Sequence, residues 1–146
     1  MPSDPDVPAD PDCILCGIVA GTIPSYKIYE DDHVLSFLDI GPLARGHVLL
    51  IPKAHYVTLD TMPDDLAADC ARVLPSLARA VMTVSGRPDF NILQNNGAPA
   101  GQIVNHVHFH IIPRREGDSL GYRWPAGKLA DDEARRLQQA FTGQLR

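Results

Sequence analysis

Three histidines occupy every second position of one short segment: His106, His108 and His110. A β-strand turns successive side chains to opposite faces, so this spacing predicts a strand with three imidazoles on one face. The residues between them are apolar, namely Val107, Phe109 and Ile111. Imidazole is the side chain best suited to proton transfer, metal binding and nucleophilic attack near neutral pH. The segment therefore predicts one strand with a buried face and a chemically active face.

The rest of the chain predicts an α+β fold with an antiparallel sheet. Five segments have the pattern of strands, at residues 26–30, 34–38, 48–51, 90–93 and 104–112. Apolar residues recur at helical spacing from Leu66 to Val84, which predicts one long helix that begins near Pro63 and ends at Gly86. A short helix over residues 13–20 and a C-terminal helix over residues 130–141 complete the expected elements.

Length, charge and the first residues limit the classes of function. The 146 residues are enough for one domain with a stable core, which we place at residues 13–146. The net charge of −5 excludes a global attraction to nucleic-acid polymers or anionic membranes. No apolar run is long enough to span a bilayer. Residues 1–12 alternate proline and aspartate, which predicts a disordered tail rather than a signal peptide, and hence a cytoplasmic protein.

The residues alone leave three interpretations of the histidine segment open. All three imidazoles could bind one metal, as in a three-histidine zinc site. One could be a nucleophile while its neighbours position a phosphate. They could also form a solvated sheet face, although three histidines in register disfavour this. The neighbouring sequence favours phosphate, because the loop at residues 95–101 could present main-chain donors and Arg114 and Arg115 add positive charge.

Several further motifs accompany the histidines in a fixed order. They are Tyr29-Glu30-Asp31-Asp32, Phe37-Leu38-Asp39-Ile40, Gly46-His47-Val48-Leu49-Leu50-Ile51-Pro52-Lys53 and Gly101-Gln102. With the histidine segment, this pattern resembles the histidine-triad (HIT) family of nucleotide hydrolases and transferases, most closely its bacterial Hint-like branch, over roughly residues 13–115. The resemblance implies a HIT-like fold with a five-stranded antiparallel sheet, one long central helix, a C-terminal helix and a two-fold homodimer.

The resemblance also implies a mechanism. His108 would attack the α-phosphorus of a purine nucleotide derivative, either a nucleoside phosphoramidate or a dinucleoside polyphosphate, to form a nucleotidyl-histidine. His110 would donate to a phosphoryl oxygen or to the leaving group, and His47 would contact the same phosphate. A neutral imidazole needs an acceptor that fixes its tautomer, for which we predict a backbone carbonyl. The third histidine, where the transferase branch has glutamine, favours hydrolysis. The alternative is a nucleotide-binding or scaffold protein with incidental turnover.

By the same resemblance, other residues would form the nucleoside pocket. Asp39 would accept the ribose hydroxyls, while Asn95 and Gln102 would contact the phosphate or the ribose. The expected base slot comprises Leu15, Ile18, Phe37 and Ile40. For Leu15 and Ile18, plain core packing is a nearly equal alternative. Ile103 stands where the family often has a hydroxyl residue, and Trp124 would cover the leaving group or lie at a dimer contact.

The pair Cys13-x-x-Cys16 has two intracellular interpretations, a redox pair or half of a metal site. Only the tail precedes the pair, so the redox interpretation, which would make the protein a regulatory module, is weaker. Bacterial-type HIT proteins complete a structural zinc site with two histidines, and the matching positions here are His55 and His106. No organic cofactor is implied. Cys70 falls at an apolar position of the long helix and is expected in the core.

Overall fold

The computed structural model describes residues 7–121 and 125–145, and it confirms the predicted α+β fold. Five strands form one antiparallel sheet in the order β1-β2-β3-β5-β4. The strands are β1 (Lys27–Glu30), β2 (Val34–Leu38), β3 (Val48–Pro52), β4 (Asp89–Gln94) and β5 (Phe109–Arg114). The helices are α1 (Ile14–Ala20), α2 (Asp64–Ser85) and α3 (Asp131–Gln144), with single 3-10 turns at Leu59–Thr61 and Ala98–Ala100.

Local sequence signals explain where the helices begin and end. Pro63 directly precedes α2, and Asp64 and Asp65 lie at the positive end of its dipole. Gly86 ends α2 with a φ of 68°, and Gly21 ends α1 with a φ of 80°. Both are left-handed conformations that glycine adopts without steric cost.

The sheet separates two apolar clusters because side chains alternate along each strand. Val48 and Leu50 of β3 pack in one cluster with residues of α2. Leu49 and Ile51 belong to the other cluster, on the face that α1 covers. The second cluster comprises Leu15, Leu35, Phe37 and Ile51, with Cys13, Ile18, Val19, Leu49 and Val104 packed against it. Helices α1 and α2 therefore pack on opposite faces of the sheet.

The histidine strand is shorter than predicted. We expected a strand over residues 104–112, but β5 begins at Phe109, so that only His110 of the three histidines lies within it. The backbone before β5 is held by other contacts, since the N–H of Val107 donates to the carbonyl of Tyr56 at 2.8 Å. The predicted alternation nevertheless persists, because Val107 and Ile111 are fully buried in the α2 cluster.

Part of the segment predicted as an N-terminal tail contacts the domain. Residues 1–6 lie outside the described residues, but Pro8 and Asp10 contact the domain. The N–H of His55 donates to the carbonyl of Pro8 at 2.7 Å, and the N–H of Cys13 donates to the carbonyl of Asp10 at 3.1 Å. Pro8 and Asp10 of the predicted tail are thus held against the domain. Among the described helices, none combines the length and the apolar character that crossing a membrane requires.

Candidate active site and metal-binding cluster

A cavity of about 630 Å³ opens on the α1 face of the sheet. This volume is typical of sites for small organic ligands. His110 lies opposite Leu49 of β3 and Leu93 of β4 in the sheet, and all three side chains line the cavity. His108 and His47 line it too, so three of the predicted site histidines converge on one space.

His108 is 7% exposed and its ring is held in one tautomer. Its Nδ1 lies 2.7 Å from the carbonyl oxygen of His106, to which it donates a hydrogen bond. The acceptor is thus a backbone carbonyl, as predicted from the requirement for a fixed tautomer. Because Nδ1 carries the proton, the lone pair of the neutral ring is on Nε2. A nitrogen with this lone pair is the nucleophile that covalent catalysis requires.

His47 and His110 form a directed hydrogen-bond pair. The backbone N–H of Leu43 donates to Nδ1 of His47 at 3.1 Å, which places the proton of the neutral His47 ring on Nε2. That Nε2 lies 2.9 Å from Nδ1 of His110 and donates to it. The neutral His110 ring consequently carries its own proton on Nε2, where it can donate to a ligand. The ring centroids of His108 and His110 are 4.9 Å apart.

Burial keeps this pair neutral. Removal from water, with His108 and His47 alongside, lowers the pKa of His110 to about 4 although Asp39 opposes the shift. Burial also lowers the pKa of His47, against the opposing charge of Asp39. Oδ2 of Asp39 lies 3.5 Å from Nε2 of His47. At neutral pH both imidazoles are therefore hydrogen-bond donors without a full charge.

The structure brings most of the expected nucleotide-binding residues to the cavity. Asp39 and Asn95 line it, and so do the four expected base-slot residues Leu15, Ile18, Phe37 and Ile40. Leu15 and Phe37 are each 4% exposed and also belong to the second core cluster, so they both pack in the core and line the cavity. In contrast, Ile40 is 84% exposed and Ile103 is 92% exposed at the rim. Trp124 lies outside the described residues.

Gln102 is placed differently from the expectation. It is 5% exposed and absent from the described lining of the cavity. Its Nε2 donates to the carbonyls of Val57 and Val104, and its Oε1 accepts from the N–H of Gly97 at 2.7 Å. The whole amide is thus used to hold the preceding loop, because a buried amide needs its partners.

Several main-chain N–H groups in and directly after the loop at residues 95–101 already have partners within the loop. The N–H groups of Ala100 and Gln102 donate to the carbonyl of Gly97, and the N–H of Gly101 donates to that of Ala98. These donors are consumed within the loop. Asn95 remains as its polar contribution to the cavity lining.

The expected cationic side chains are absent from the described lining of the cavity. Arg114 instead donates to Asp118 at 2.7 Å and 2.9 Å and to Asn91 at 2.6 Å. Its guanidinium lowers the pKa of Asp118 well below the usual range. Asp39 is the single aspartate, glutamate, lysine or arginine in the described lining. A bound phosphate would therefore be met by imidazole and amide donors.

A second cluster gathers the four predicted metal ligands, Cys13, Cys16, His55 and His106. Nδ1 of His106 lies 3.5 Å and 3.6 Å from the two sulfurs of Cys13 and Cys16. Nδ1 of His55 lies 3.3 Å from Sγ of Cys16 and 3.2 Å from Nδ1 of His106. All four candidate ligand atoms lie within 4.8 Å of one another. We call this group the metal cluster.

The metal cluster has the dimensions of a tetrahedral zinc site. Zn–S bonds of about 2.3 Å and Zn–N bonds of about 2.0–2.1 Å imply N–S separations of about 3.6 Å and N–N separations of about 3.3 Å. The observed separations agree with these edges. Nε2 of His106 donates to the carbonyl of Pro52 at 2.9 Å, which leaves Nδ1 with the lone pair. Burial lowers the pKa of His106 to about 4, so the ring is a neutral ligand.

A similar grouping of Asp39, His47 and His110 does not meet the same test. A metal bound to Nε2 of His47 would need the ring proton on Nδ1, but Nδ1 accepts from the N–H of Leu43. The 2.9 Å between the two imidazole nitrogens is the length of a hydrogen bond. This grouping is therefore a hydrogen-bond relay.

Sequence reasoning did not identify the groups that orient these side chains, although it predicted that a backbone carbonyl would orient His108. Three of them are main-chain atoms, namely the N–H of Leu43 and the carbonyls of Pro52 and His106. Such groups leave no signal in a sequence, because every residue carries them. The fourth is Asp10, whose Oδ2 lies 3.9 Å from Nε2 of His55. Its position three residues before Cys13 was the available signal.

Comparison with known proteins identifies the family of this chain. The model of the HIT domain matches residues 20–117, which is more than half of the chain. This protein belongs to the HIT family.

Curated relatives include two enzymes by name. The chain is 50% identical over 110 residues to Adenylylsulfatase HINT3 of Arabidopsis thaliana, covering 75% of this chain and 55% of that protein. It thus spans little more than half of the plant protein. It is 41% identical over 138 residues to Adenosine 5′-monophosphoramidase HNT1 of Candida albicans, covering 91% of each chain.

Solved structures show the same fold. A HIT family protein from Bacillus subtilis superposes with a TM-score of 0.87 at 40% identity, covering 92% of this chain and 98% of that one. A zinc-bound histidine-triad family protein from Mycobacterium smegmatis gives a TM-score of 0.71 at 39% identity, covering 91% and 95%. The fold predicted from the sequence is therefore confirmed.

Proposed function

We propose that this protein is a nucleotide hydrolase that acts at the α-phosphorus of an adenylate derivative, preferably a nucleoside phosphoramidate. The observation that carries the proposal is the hydrogen bond from Nδ1 of His108 to a main-chain carbonyl in a nucleotide-sized cavity. It directs the lone pair to Nε2, which is the requirement for an imidazole nucleophile. The names of the plant and yeast relatives, an adenylylsulfatase and a monophosphoramidase, support adenylate as the transferred group.

The reaction has two displacements at phosphorus. Nε2 of His108 forms a bond to the α-phosphorus while the bond to the leaving amine breaks, and the amine takes a proton from solvent. Water then attacks the same phosphorus and releases a proton to solvent, the bond to His108 breaks, and adenosine monophosphate (AMP) leaves. His110 donates from Nε2 to a phosphoryl oxygen, and His47 holds His110 in that tautomer. Two smaller barriers replace one large barrier.

The nucleoside binds on the α1 side of the cavity. Asp39 accepts the ribose hydroxyls through the carboxylate oxygen that does not already accept the N–H of Gly41. The base lies between Leu15, Ile18 and Phe37, and it covers the exposed Ile40. Covering apolar surface stabilises the complex by roughly 25 cal/mol per Å².

The metal cluster binds zinc in this proposal. Cys13, Cys16, His55 and His106 supply a closed set of four ligands, whose role is structural because no ligand position is left for substrate. Bound zinc ties the N-terminal segment to the sheet. Elemental analysis of protein purified without chelators should find one zinc per chain, whereas a metal content near zero would contradict this assignment.

The protein also forms a two-fold dimer in this proposal. The edge strand β4 exposes Phe90 to 36% and Ile92 to 40%, and Val84 near the end of α2 is 70% exposed. Pairing of two such edges would cover these side chains. Light scattering coupled to size exclusion should give twice the 15.9 kDa chain mass.

Trapping the intermediate tests the proposed function. The protein is mixed with adenosine and guanosine phosphoramidates, diadenosine polyphosphates and adenylyl sulfate, quenched in base, and digested for mass spectrometry. We expect an adenylate adduct on the peptide that contains Val107-His108-Phe109, and the fastest turnover with the adenosine phosphoramidate. AMP binding without any turnover would instead indicate the scaffold alternative, whereas turnover that persists in His108→Ala would mean that the assigned nucleophile is wrong.

A further inference from the structure

One apolar layer lies between the metal cluster and the cavity. Cys13 packs against the second core cluster, which also contains Leu15 and Phe37. Five members of that cluster and its packing shell line the cavity: Leu15, Ile18, Phe37, Leu49 and Val104. The side chains that would hold a base are thus the same ones that support a metal ligand.

Helix α1 connects the two sites directly. Cys13 is its N-cap, and Sγ of Cys13 accepts from the N–H of Cys16 in the first turn at 3.4 Å. Leu15 and Ile18, two and five residues after Cys13 on the same helix, line the cavity. A helix of seven residues is too short to be stable without tertiary contacts, so its position depends on what holds its ends.

His106 is a second connection. Its Nδ1 faces the metal cluster, and its carbonyl oxygen accepts the hydrogen bond that orients His108. The ring is fully buried and its Nε2 is fixed to Pro52. A shift of this residue would therefore move the acceptor that sets the tautomer of the proposed nucleophile.

We infer that metal binding at the cluster and nucleotide binding in the cavity are thermodynamically linked through α1 and His106, so that each ligand raises the affinity for the other. This inference rests on the proposed function of the cavity. Metal binding fixes Cys13 and Cys16, which orders α1 and completes the wall of the base slot in advance. Without metal, the nucleotide has to order α1 itself, and part of its binding free energy is lost to that ordering.

Reciprocity gives the experiment two independent readouts. AMP binding is measured by calorimetry on zinc-loaded protein and on protein stripped with a chelator, with the fold of each checked by circular dichroism. Zinc affinity is then measured by chelator competition with and without saturating AMP. We expect metal removal to weaken AMP binding between about 5- and 150-fold, and AMP to raise zinc affinity by the same factor.

Two matched variants test the route through α1. Ile18→Ala removes a side chain that lines the cavity, whereas Val19→Ala shortens its neighbour, which packs in the second core cluster but does not line the cavity. AMP should slow the release of zinc to a chelator in the wild type and in Val19→Ala, and much less in Ile18→Ala. This measurement starts from loaded, folded protein, so it remains decisive even where the metal-free chain unfolds.

The outcomes separate the two proposals. If zinc-loaded protein binds no AMP at millimolar concentration, the proposed nucleotide site itself is wrong. If AMP binds but its affinity is the same with and without zinc, only the linkage is wrong. An equal slowing of zinc release in all three proteins would show that AMP acts through global stability, which overturns the route through α1.

Metal depletion should change KM and kcat unequally. The linkage acts on the base slot, so metal depletion should raise KM for an adenosine phosphoramidate more than it lowers kcat. A cluster that only stabilised the fold would lower the active fraction and leave KM unchanged. That result would contradict the inference.

Discussion

Two histidine pairs lie on the same side of the sheet and are used in opposite ways. In the metal cluster, the Nδ1 atoms of His55 and His106 face each other at 3.2 Å. In the cavity, Nε2 of His47 faces Nδ1 of His110 at 2.9 Å, head to tail. The residue types are the same and the distances are similar. What differs is which ring nitrogen the backbone already occupies.

The backbone partner decides the chemistry of each pair. The carbonyl of Pro52 accepts a hydrogen bond from Nε2 of His106, so the lone pair of that ring is on Nδ1 and faces the cysteines. Nδ1 of His47 instead accepts a hydrogen bond from the N–H of Leu43, so the proton of that ring is on Nε2 and faces His110. One pair consequently presents acceptors for a cation, and the other presents a donor for an anion.

Removal of His108 should produce the largest change and affect only the cavity side. His108→Ala should lower kcat for an adenosine phosphoramidate by at least about 10⁴-fold, because the nucleophile is lost. The zinc content should stay unchanged, since the substitution retains the His106 carbonyl and all four metal ligands. Activity within tenfold of the wild type would mean that another group attacks the phosphorus.

Removal of one thiol should affect zinc binding at the metal cluster. Cys16→Ser should weaken zinc binding by at least about a hundredfold, more than the loss of an outer contact costs. At saturating zinc, the free energy of unfolding would then fall by at least about 2.7 kcal/mol. Urea unfolding and chelator competition measure the two effects.

Cys70 supplies the matched control for that substitution. It is fully buried in the α2 cluster, and burial raises the pKa of its thiol to about 12. Cys70→Ala should cost stability through lost packing and leave zinc affinity unchanged. Equal zinc affinities in Cys16→Ser and the wild type would remove Cys16 from the ligand set.

Acid should protonate His110 only far below the usual range. Its pKa of about 4 lies below the ordinary 6.5, so between these values the unfolded chain binds more protons than the folded one. The contribution of His110 is therefore complete above about pH 6.5 and is lost as the pH falls towards 4. It amounts to at most about 3 to 4 kcal/mol, because each pKa unit is worth about 1.4 kcal/mol.

Nuclear magnetic resonance and one variant can separate this contribution from metal loss in acid. The ring resonances of His110 should titrate with a midpoint near 4, and His110→Asn should reduce the slope of unfolding free energy against pH. A midpoint near 6.5 would mean that the ring is not desolvated as the structure indicates.

The side-chain pattern predicted the α+β fold, and the resemblance to the HIT family named the cavity histidines and the members of the metal cluster, but neither predicted the groups that surround them. The alternation of His106, His108 and His110 gave the correct face for all three, because side-chain period survives even where β5 has not begun. The extent of the strand could not be predicted, since the backbone of Val107 bonds to a distant loop at Tyr56. The same limit explains why Gln102 lies outside the cavity lining, contrary to expectation. Its amide is hydrogen-bonded to main-chain groups, which no sequence motif reveals.

Asp10 offers the smallest and sharpest test of the comparison. Its Oδ2 lies 3.9 Å from Nε2 of His55, and its N–H donates to Sγ of Cys16 at 3.5 Å. A carboxylate beside the outer nitrogen of a ligating histidine makes that histidine a better ligand. Because Asp10 is half-exposed and the contact is long, Asp10→Asn should weaken zinc binding only about three- to tenfold.

Asp12→Asn provides the control, because it removes the same charge at an exposed position two residues along. Chelator competition on both variants distinguishes a contact with His55 from a general electrostatic effect. A larger loss of zinc affinity in Asp10→Asn than in Asp12→Asn would show that the partner of Nε2 of His55 strengthens zinc binding at the metal cluster. The cavity pair depends in the same way on the partner of Nδ1 of His47. Equal losses would mean that the backbone contacts of Pro8 and Asp10 are enough to position His55, and that the carboxylate has no part in it.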